Sequence, residues 1–243
     1  MAAPEFERHT LLHVSLAGRE RIFADLADKG YDEEALGEMF LPERFPGGDE
    51  VTVPIPGIAR REEFAPRAGF IPVGFASWRS NECGRLRVGT FAAPGEVLAF
   101  VSPEEVAAKA DYMEKERMNR TPALAALARL RAGWDGSPLS LGVWGSAAME
   151  IETGRFYTHQ WSDLDVRILP GGNVTKDALR QCLDLLLAAE KKHGIRIDAE
   201  LRVAGGYGVS LKELLSNSAT ALGKGLTDVV LLEKTEVFAG LAG

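Results

Sequence analysis

The sequence predicts an α/β protein of the α+β kind, with a β-rich N-terminal domain over 1–120 and a mixed sheet with flanking helices over 121–243. Three observations carry this. Apolar runs in the first hundred residues are short and broken by Gly and Pro, as strands are. Two helical patterns with clear start signals occupy 102–133 and connect the halves. From 138 onward strand and helix patterns alternate, which is how a sheet with helices packed on it reads in sequence.

The N-terminal strands are the runs "LLHVSL", "EVTVPI", "GFIPVGFASW", "GRLRVGTFA" and "EVLAFV". Helical spacing interrupts them at 18–29, with a second short helix at 32–39. "SPEEVAAKADYMEKERM" opens a helix with Ser102 at the N-cap, Pro103 next and Glu105 three residues on, a capping box. "TPALAALARLRAG" repeats the device with Thr121 and Pro122 and stops at Gly133. Met113 and Met118 read as helix packing.

"LSLGVW" then reads as a buried strand, Gly145-Ser146 as a turn, and "SAAMEIET" as a short helix ended by Gly154. The aromatic loop "RFYTHQW" leads into the strand "DLDVRIL". A long amphipathic helix follows over 175–194, capped by Thr175 or Asn173 and stopped by Gly194. "IRIDAELRVA" is a strand, "SLKELLSN" a helix, and "TDVVLLEKTEVF" a closing strand. There is no internal repeat and no low-complexity segment.

Hydrophobic residues are 46% and charged residues 26% of 243, enough apolar mass for a core. No apolar run approaches the ~18 residues of a membrane span, and "MAAPEFERHT" has no signal-peptide core. Cys83 and Cys182 are the two cysteines, too few for a zinc cluster, and they suggest a reduced, cytoplasmic protein. A net charge of −7 argues against non-specific nucleic-acid binding. A polyanionic ligand would need a local basic patch or metal ions.

Chemistry concentrates in "GVWGSAAMEIETGRFYTHQWSDLDVRI". Residues i and i+2 of a strand share a face, so Asp163 and Asp165 stand side by side. Two unpaired carboxylates so close repel and raise each other's pKa, and a cation between them relieves this. Mg²⁺ is suited: it takes oxygen ligands from one or two carboxylates plus substrate phosphates. In "RIDAELR", Asp198 and Glu200 also share one face. If the two strands are neighbours, four carboxylates line one edge and suit two metals roughly 3.5–4 Å apart for phosphoryl transfer. Gly145 lets backbone approach closely, and Ser146 with the following helix start can hold a phosphate oxygen. The chemistry would be an in-line displacement at phosphorus. Asp-x-Asp by itself is also what a solvated strand edge shows, and Gly-Ser before a helix is also a plain turn. The order of the combined elements favours the site.

Residues 138–201 resemble the nucleotidyltransferase superfamily: apolar strand, Gly-Ser, a gap, Asp-x-Asp, then an acid on a later strand. The longer gap, with "IDAELRVAGGYGVSLKELL" and "ALGKGLTDVVLLE", is similar to the malonate decarboxylase holo-acyl-carrier-protein synthases, or phosphoribosyl-dephospho-CoA transferases. "RHTLLHVSL" resembles that family's opening Arg-His, carried here by Arg8 and His9. The resemblance implies transfer from 2′-(5″-triphosphoribosyl)-3′-dephospho-CoA to a serine of the malonate decarboxylase acyl carrier protein, with pyrophosphate leaving. It implies catalytic roles for Asp163, Asp165, Asp198 and Glu200, with Asp163, Asp165 and Asp198 as metal ligands. Gly145, Ser146, Gly205, Gly206 and Lys224 would contact substrate. It implies Mg²⁺ and no tightly bound organic cofactor, membrane or nucleic acid. Where the family has Trp-Gln after Gly-Ser, this chain has Met149-Glu150.

Some readings stay open. Gly205, Gly206 and Gly208 cradle a phosphate or make a tight turn. His159 and Trp161 touch the adenine or ribose, or merely pack. Between 58 and 90 Arg60, Arg61, Arg67, Arg79, Arg85 and Arg87 face Glu62, Glu63 and Glu82, an excess of three positive charges. That excess grips an acidic carrier or the triphosphate, or forms a solvated β-face. A general nucleotidyltransferase shares the acid pattern, and a catalytically silent binding module is the alternative from another class.

Overall fold

The computed structural model describes residues 6–42, 55–61, 67–81, 84–134 and 138–242. The chain divides into two compact units, Met1–Val101 and Ser102–Gly243.

In the first unit β1 (Leu11–Val14), α1 (Leu16–Ala27), α2 (Glu33–Phe40), β2 (Gly57–Ala59), β3 (Ile71–Asn81), β4 (Gly84–Ala92) and β5 (Val97–Val101) follow in order. The described strands form an antiparallel sheet ordered β4-β3-β2-β1-β5. Alternation places Ile71, Val73, Phe75 and Ser77 of β3 in the interior. There Phe75 meets Phe40 of α2 edge-on, ring centroids 4.8 Å apart. Ser15 and Asp32 cap the two helices through their side chains. The run "GRLRVGTFA" is β4. Most of "EVTVPI" lies outside the described residues, as do Cys83, Glu62, Glu63 and Glu82.

The second unit holds α3 (Pro103–Lys109), α4 (Lys115–Met118), α5 (Pro122–Gly133), β6 (Leu139–Trp144), α6 (Gly145–Thr153), β7 (Leu164–Pro170) and α7 (Lys176–His193). It continues with β8 (Ile197–Arg202), β9 (Gly208–Ser210), α8 (Leu211–Leu214), β10 (Thr220–Lys224), β11 (Val229–Glu233) and α9 (Lys234–Ala242). Its sheet runs β11-β10-β9-β8-β7-β6. The pair β7–β8 is parallel and the other pairs are antiparallel. A parallel pair needs a crossover, and α7 supplies it. Thr175 caps α7, accepting from the Ala178 amide, and Gly194 ends it at φ 66°.

The capping box at Ser102 forms: its amide donates to Glu105 Oε2 at 2.7 Å, and its hydroxyl accepts from the Glu105 amide at 3.2 Å. The helix expected over 102–118 is nevertheless broken. A single 3₁₀ turn occupies 110–112, where Asp111 accepts from Arg131 Nε at 3.0 Å. The unit division falls between Val101 and Ser102, ahead of the boundary at 120 read from the sequence. The reason is that α3 sits directly on β6: a Cβ on Gly142 would lie 2.7 Å from Pro103 Cβ. Arg167 of β7 also donates from Nε to Glu104 Oε1 at 2.8 Å, fixing α3 to the sheet.

The tail differs most from expectation. "TDVVLLEKTEVF" is strand only to Glu233, and a helix begins at Lys234. The Lys234 ammonium is buried and donates to the carbonyls of Glu213 and Ser216. That long-range capture fixes where the strand ends. The expected helix over 210–217 is the four residues of α8.

Candidate active site

The parallel register aligns Asp165 with Asp198 and Arg167 with Glu200. All four side chains therefore share one face of the sheet. Arg167 donates from Nε to Glu104 Oε1. Asp163 precedes β7 and completes a cluster at the N-terminal ends of β7 and β8.

Asp165 is the inner member. Burial, then the charges of Asp198 and Asp163, push its carboxyl up to about 7; Arg196 pulls down and Glu200 adds to the rise. Arg196 is the cation the acids recruit. Its Nε lies 3.5 Å from Asp163 Oδ2, and its other end donates to Asp198. Its side chain is 63% exposed, so it can swing away. Glu200 is buried and pairs with Lys224 at 3.3 Å.

Gly145 is required where it stands. Its φ is 69°, in the left-handed region. A Cβ there would lie 2.3 Å from Asp165 Oδ2. The glycine thus brings the start of α6 against the inner acid, and Ser146 follows as the second residue of that helix.

The loop from α6 to β7 is held by a buried hub. Glu150 is fully buried and takes Arg120 through both oxygens, at 2.9 Å from Nε and 2.6 Å from the terminal nitrogen. It also accepts from the amides of Tyr157 at 3.0 Å and Thr158 at 2.8 Å. Burial works to raise its carboxyl, but the Arg120 and Thr158 hydrogen bonds outweigh this and hold it below the usual carboxylate range. Trp161, 85% exposed, projects from this loop, its amide bonded to His159 Nδ1 at 3.1 Å.

The predicted residues therefore separate. Asp163, Asp165, Asp198 and Gly145 gather at the N-terminal ends of β7 and β8, and Lys224, level with Gly208 and Arg202 toward the other end of β8, reaches back to Glu200. Gly205 and Gly206 lie at that other end of β8, near Lys224. Both have positive φ and form the β8–β9 turn, closed by the Val203 amide on the Tyr207 carbonyl at 2.9 Å. From Asp198 the strand runs four residues, roughly 13 Å, to Arg202 before the turn begins. Arg8 and His9 belong to the first unit, where His9 holds φ 71° and bonds Ala59. Arg196 and the Arg120–Glu150 hub were not singled out from sequence. The alternation in "RIDAE" signals Arg196, one strand step before Asp198.

The acid edge fits a hard divalent ion by donor type, with crowded carboxylates and a guanidinium already standing in as counter-charge. Among the described residues no three His, Cys, Asp or Glu side chains are drawn up as a closed ligand set. Arg196 stands between Asp163 and Asp198 instead.

Residues 110–235 match the family model of the phosphoribosyl-dephospho-CoA transferase MdcG C-terminal domain. The chain belongs to this family. It is similar to the phosphoribosyl-dephospho-CoA transferases of Xanthomonas axonopodis pv. citri, 34% identical over 40% of this chain and 44% of that protein, and of Pseudomonas aeruginosa, 35% identical over 49% and 55%. The chain thus spans about half the length of these two relatives. A longer match, 27% identical over 76% of this chain and 81% of the relative, is to the enzyme of that name from Xanthomonas euvesicatoria pv. vesicatoria. No solved structure matches the chain. The MdcG match contains the acid edge, the glycine turn and Lys224. Among the described residues no helix is long and apolar enough to cross a membrane.

Proposed function

We propose that this MdcG-family chain transfers the phosphoribosyl-dephospho-CoA group from 2′-(5″-triphosphoribosyl)-3′-dephospho-CoA to a serine of the malonate decarboxylase acyl carrier protein. The observation that carries it is the convergence of Asp163, Asp165 and Asp198 against the Gly145 turn, inside the segment matched to the family.

The serine oxygen attacks the α-phosphorus and gives up its proton to solvent, a new P–O bond forms, the α–β anhydride bond breaks, and pyrophosphate leaves with the electron pair. Asp163, Asp165 and Asp198 would hold Mg²⁺, two ions by the carboxylate count. Bound there, the metal supplies charge to the α-phosphate and the leaving oxygens. Gly145-Ser146 and the amides at the start of α6 receive a phosphate oxygen. Arg196 moves off the acids and turns toward the phosphates. Glu200 orients Lys224 at the edge of the cluster, where it neutralises leaving-group charge.

The test is pyrophosphate release. Release from triphosphoribosyl-dephospho-CoA should require both Mg²⁺ and apo carrier protein, and should fall at least ~10²-fold in Asp163→Asn, the scale of losing one electrostatic contact to the transition state. Release from ATP or CTP, with none from triphosphoribosyl-dephospho-CoA, would assign a general nucleotidyltransferase instead.

A further inference from the structure

The second unit carries another concavity on the opposite side of its sheet. Asp165 and Arg167 face α3, so Leu164, Val166 and Ile168 turn to the other layer, where α5 packs on β7 and α7 on β8. Between the α3–α4 connection, α5 and the end of α7 lies a hollow of about 680 Å³. Its apolar lining includes Met118, Ala125 and Ala128. Lys115, Arg129, Lys192 and His193 also line it.

The charges there do not balance. Among the described lining residues Asp111 is the one acid, and Arg131 already binds it at 3.0 Å. Lys115, Arg129 and Lys192 are left facing one hollow on a chain whose net charge is −7. The His193 ring also lines the hollow, and its buried Nε2 has no hydrogen-bond partner among the described residues. The hollow is open to solvent and large enough for a nucleotide-sized ligand.

We propose that this hollow is a second ligand site, separate from the acid edge, that takes an organic phosphate of nucleotide size. The phosphates sit among Lys115, Arg129 and Lys192, and the organic body lies on the alanine and methionine floor. The site stands independently of the transfer reaction.

ADP and inorganic pyrophosphate serve as probes, titrated calorimetrically into the full chain in EDTA, where the acid edge without metal repels both. The expected result is saturable ADP binding, tighter than pyrophosphate and weakened by salt. It should be unchanged in the Asp163→Asn/Asp165→Asn variant and at least tenfold weaker in Arg129→Ala/Lys192→Ala. Both replaced cations are exposed, and thermal melting checks that variant's fold. In unsubstituted protein the His193 ring resonances should shift with ADP at the same half-saturation. Absence of ADP binding at about 1 mM, equal affinity in the Arg129→Ala/Lys192→Ala variant, or ADP no tighter than pyrophosphate would overturn the proposal.

Discussion

Replacing Asp165 by Asn should stabilise the metal-free protein, and the gain should grow with pH. The folded carboxyl is raised from 3.8 to about 7 by burial and by Asp198 and Asp163. A carboxyl raised on folding costs stability once the unfolded chain can ionise. Nothing is lost below pH 3.8, where both states are protonated. The loss then accumulates to about pH 7 and is constant above it. Three pKa units at 1.36 kcal/mol each give about 4 kcal/mol at pH 8, an upper figure because side chains relax, and about 1.5 kcal/mol at pH 5. Asn keeps the shape and cannot ionise, so it avoids this cost. Urea unfolding in EDTA at pH 5, 6, 7 and 8 is the assay. With a slope of roughly 2–3 kcal/mol/M, the variant's midpoint should exceed the wild type's by up to ~1.3–2 M at pH 8 and by less than half of that at pH 5. A difference independent of pH, or an Asn variant weaker at pH 8, would refute the view that Asp165 is a crowded, desolvated acid.

Gly145→Ala should lower stability by about 1–3 kcal/mol, from the left-handed φ and the clash with Asp165 Oδ2, and should cut turnover by at least ~10-fold; melting and pyrophosphate release check this. Arg120→Met should cost about 3 kcal/mol, because it leaves Glu150 buried without its cation, and amides of 155–161 should exchange faster with deuterium. Burial pushes the Cys182 thiol up to about 12, so the peptide carrying it should resist iodoacetamide at pH 8 in native protein and label fully in urea.

Elements with strong local signals were legible. Ser102, Thr121 and Thr175 cap helices because each needs only a side-chain oxygen and the amide three residues on. β6 coincides with "LSLGVW" and β4 with "GRLRVGTFA", since both runs are long enough to show their pattern. β2 and β9, three residues each, are too short to show alternation. The strand-to-helix change at Lys234 depends on carbonyls of Glu213 and Ser216, and no local pattern encodes that. The acid edge was legible because alternation fixes a face, and the parallel register then set Asp165 beside Asp198. The place of Gly205, Gly206 and Lys224 toward the other end of β8 was not, since it follows from the antiparallel pairing of β8, β9 and β10. Glu150 appeared only as a departure from the family's Trp-Gln; its role depends on Arg120, thirty residues earlier.

The most direct measurement is the intact mass of the carrier. Apo carrier protein of malonate decarboxylase, Mg²⁺ and triphosphoribosyl-dephospho-CoA are mixed with the wild-type chain or with Asp163→Asn/Asp165→Asn. The proposed function predicts a carrier mass increase of one phosphoribosyl-dephospho-CoA group, located on a serine, with wild type and none with the variant. An unchanged carrier mass with folded wild-type protein, or equal modification by the variant, would contradict it.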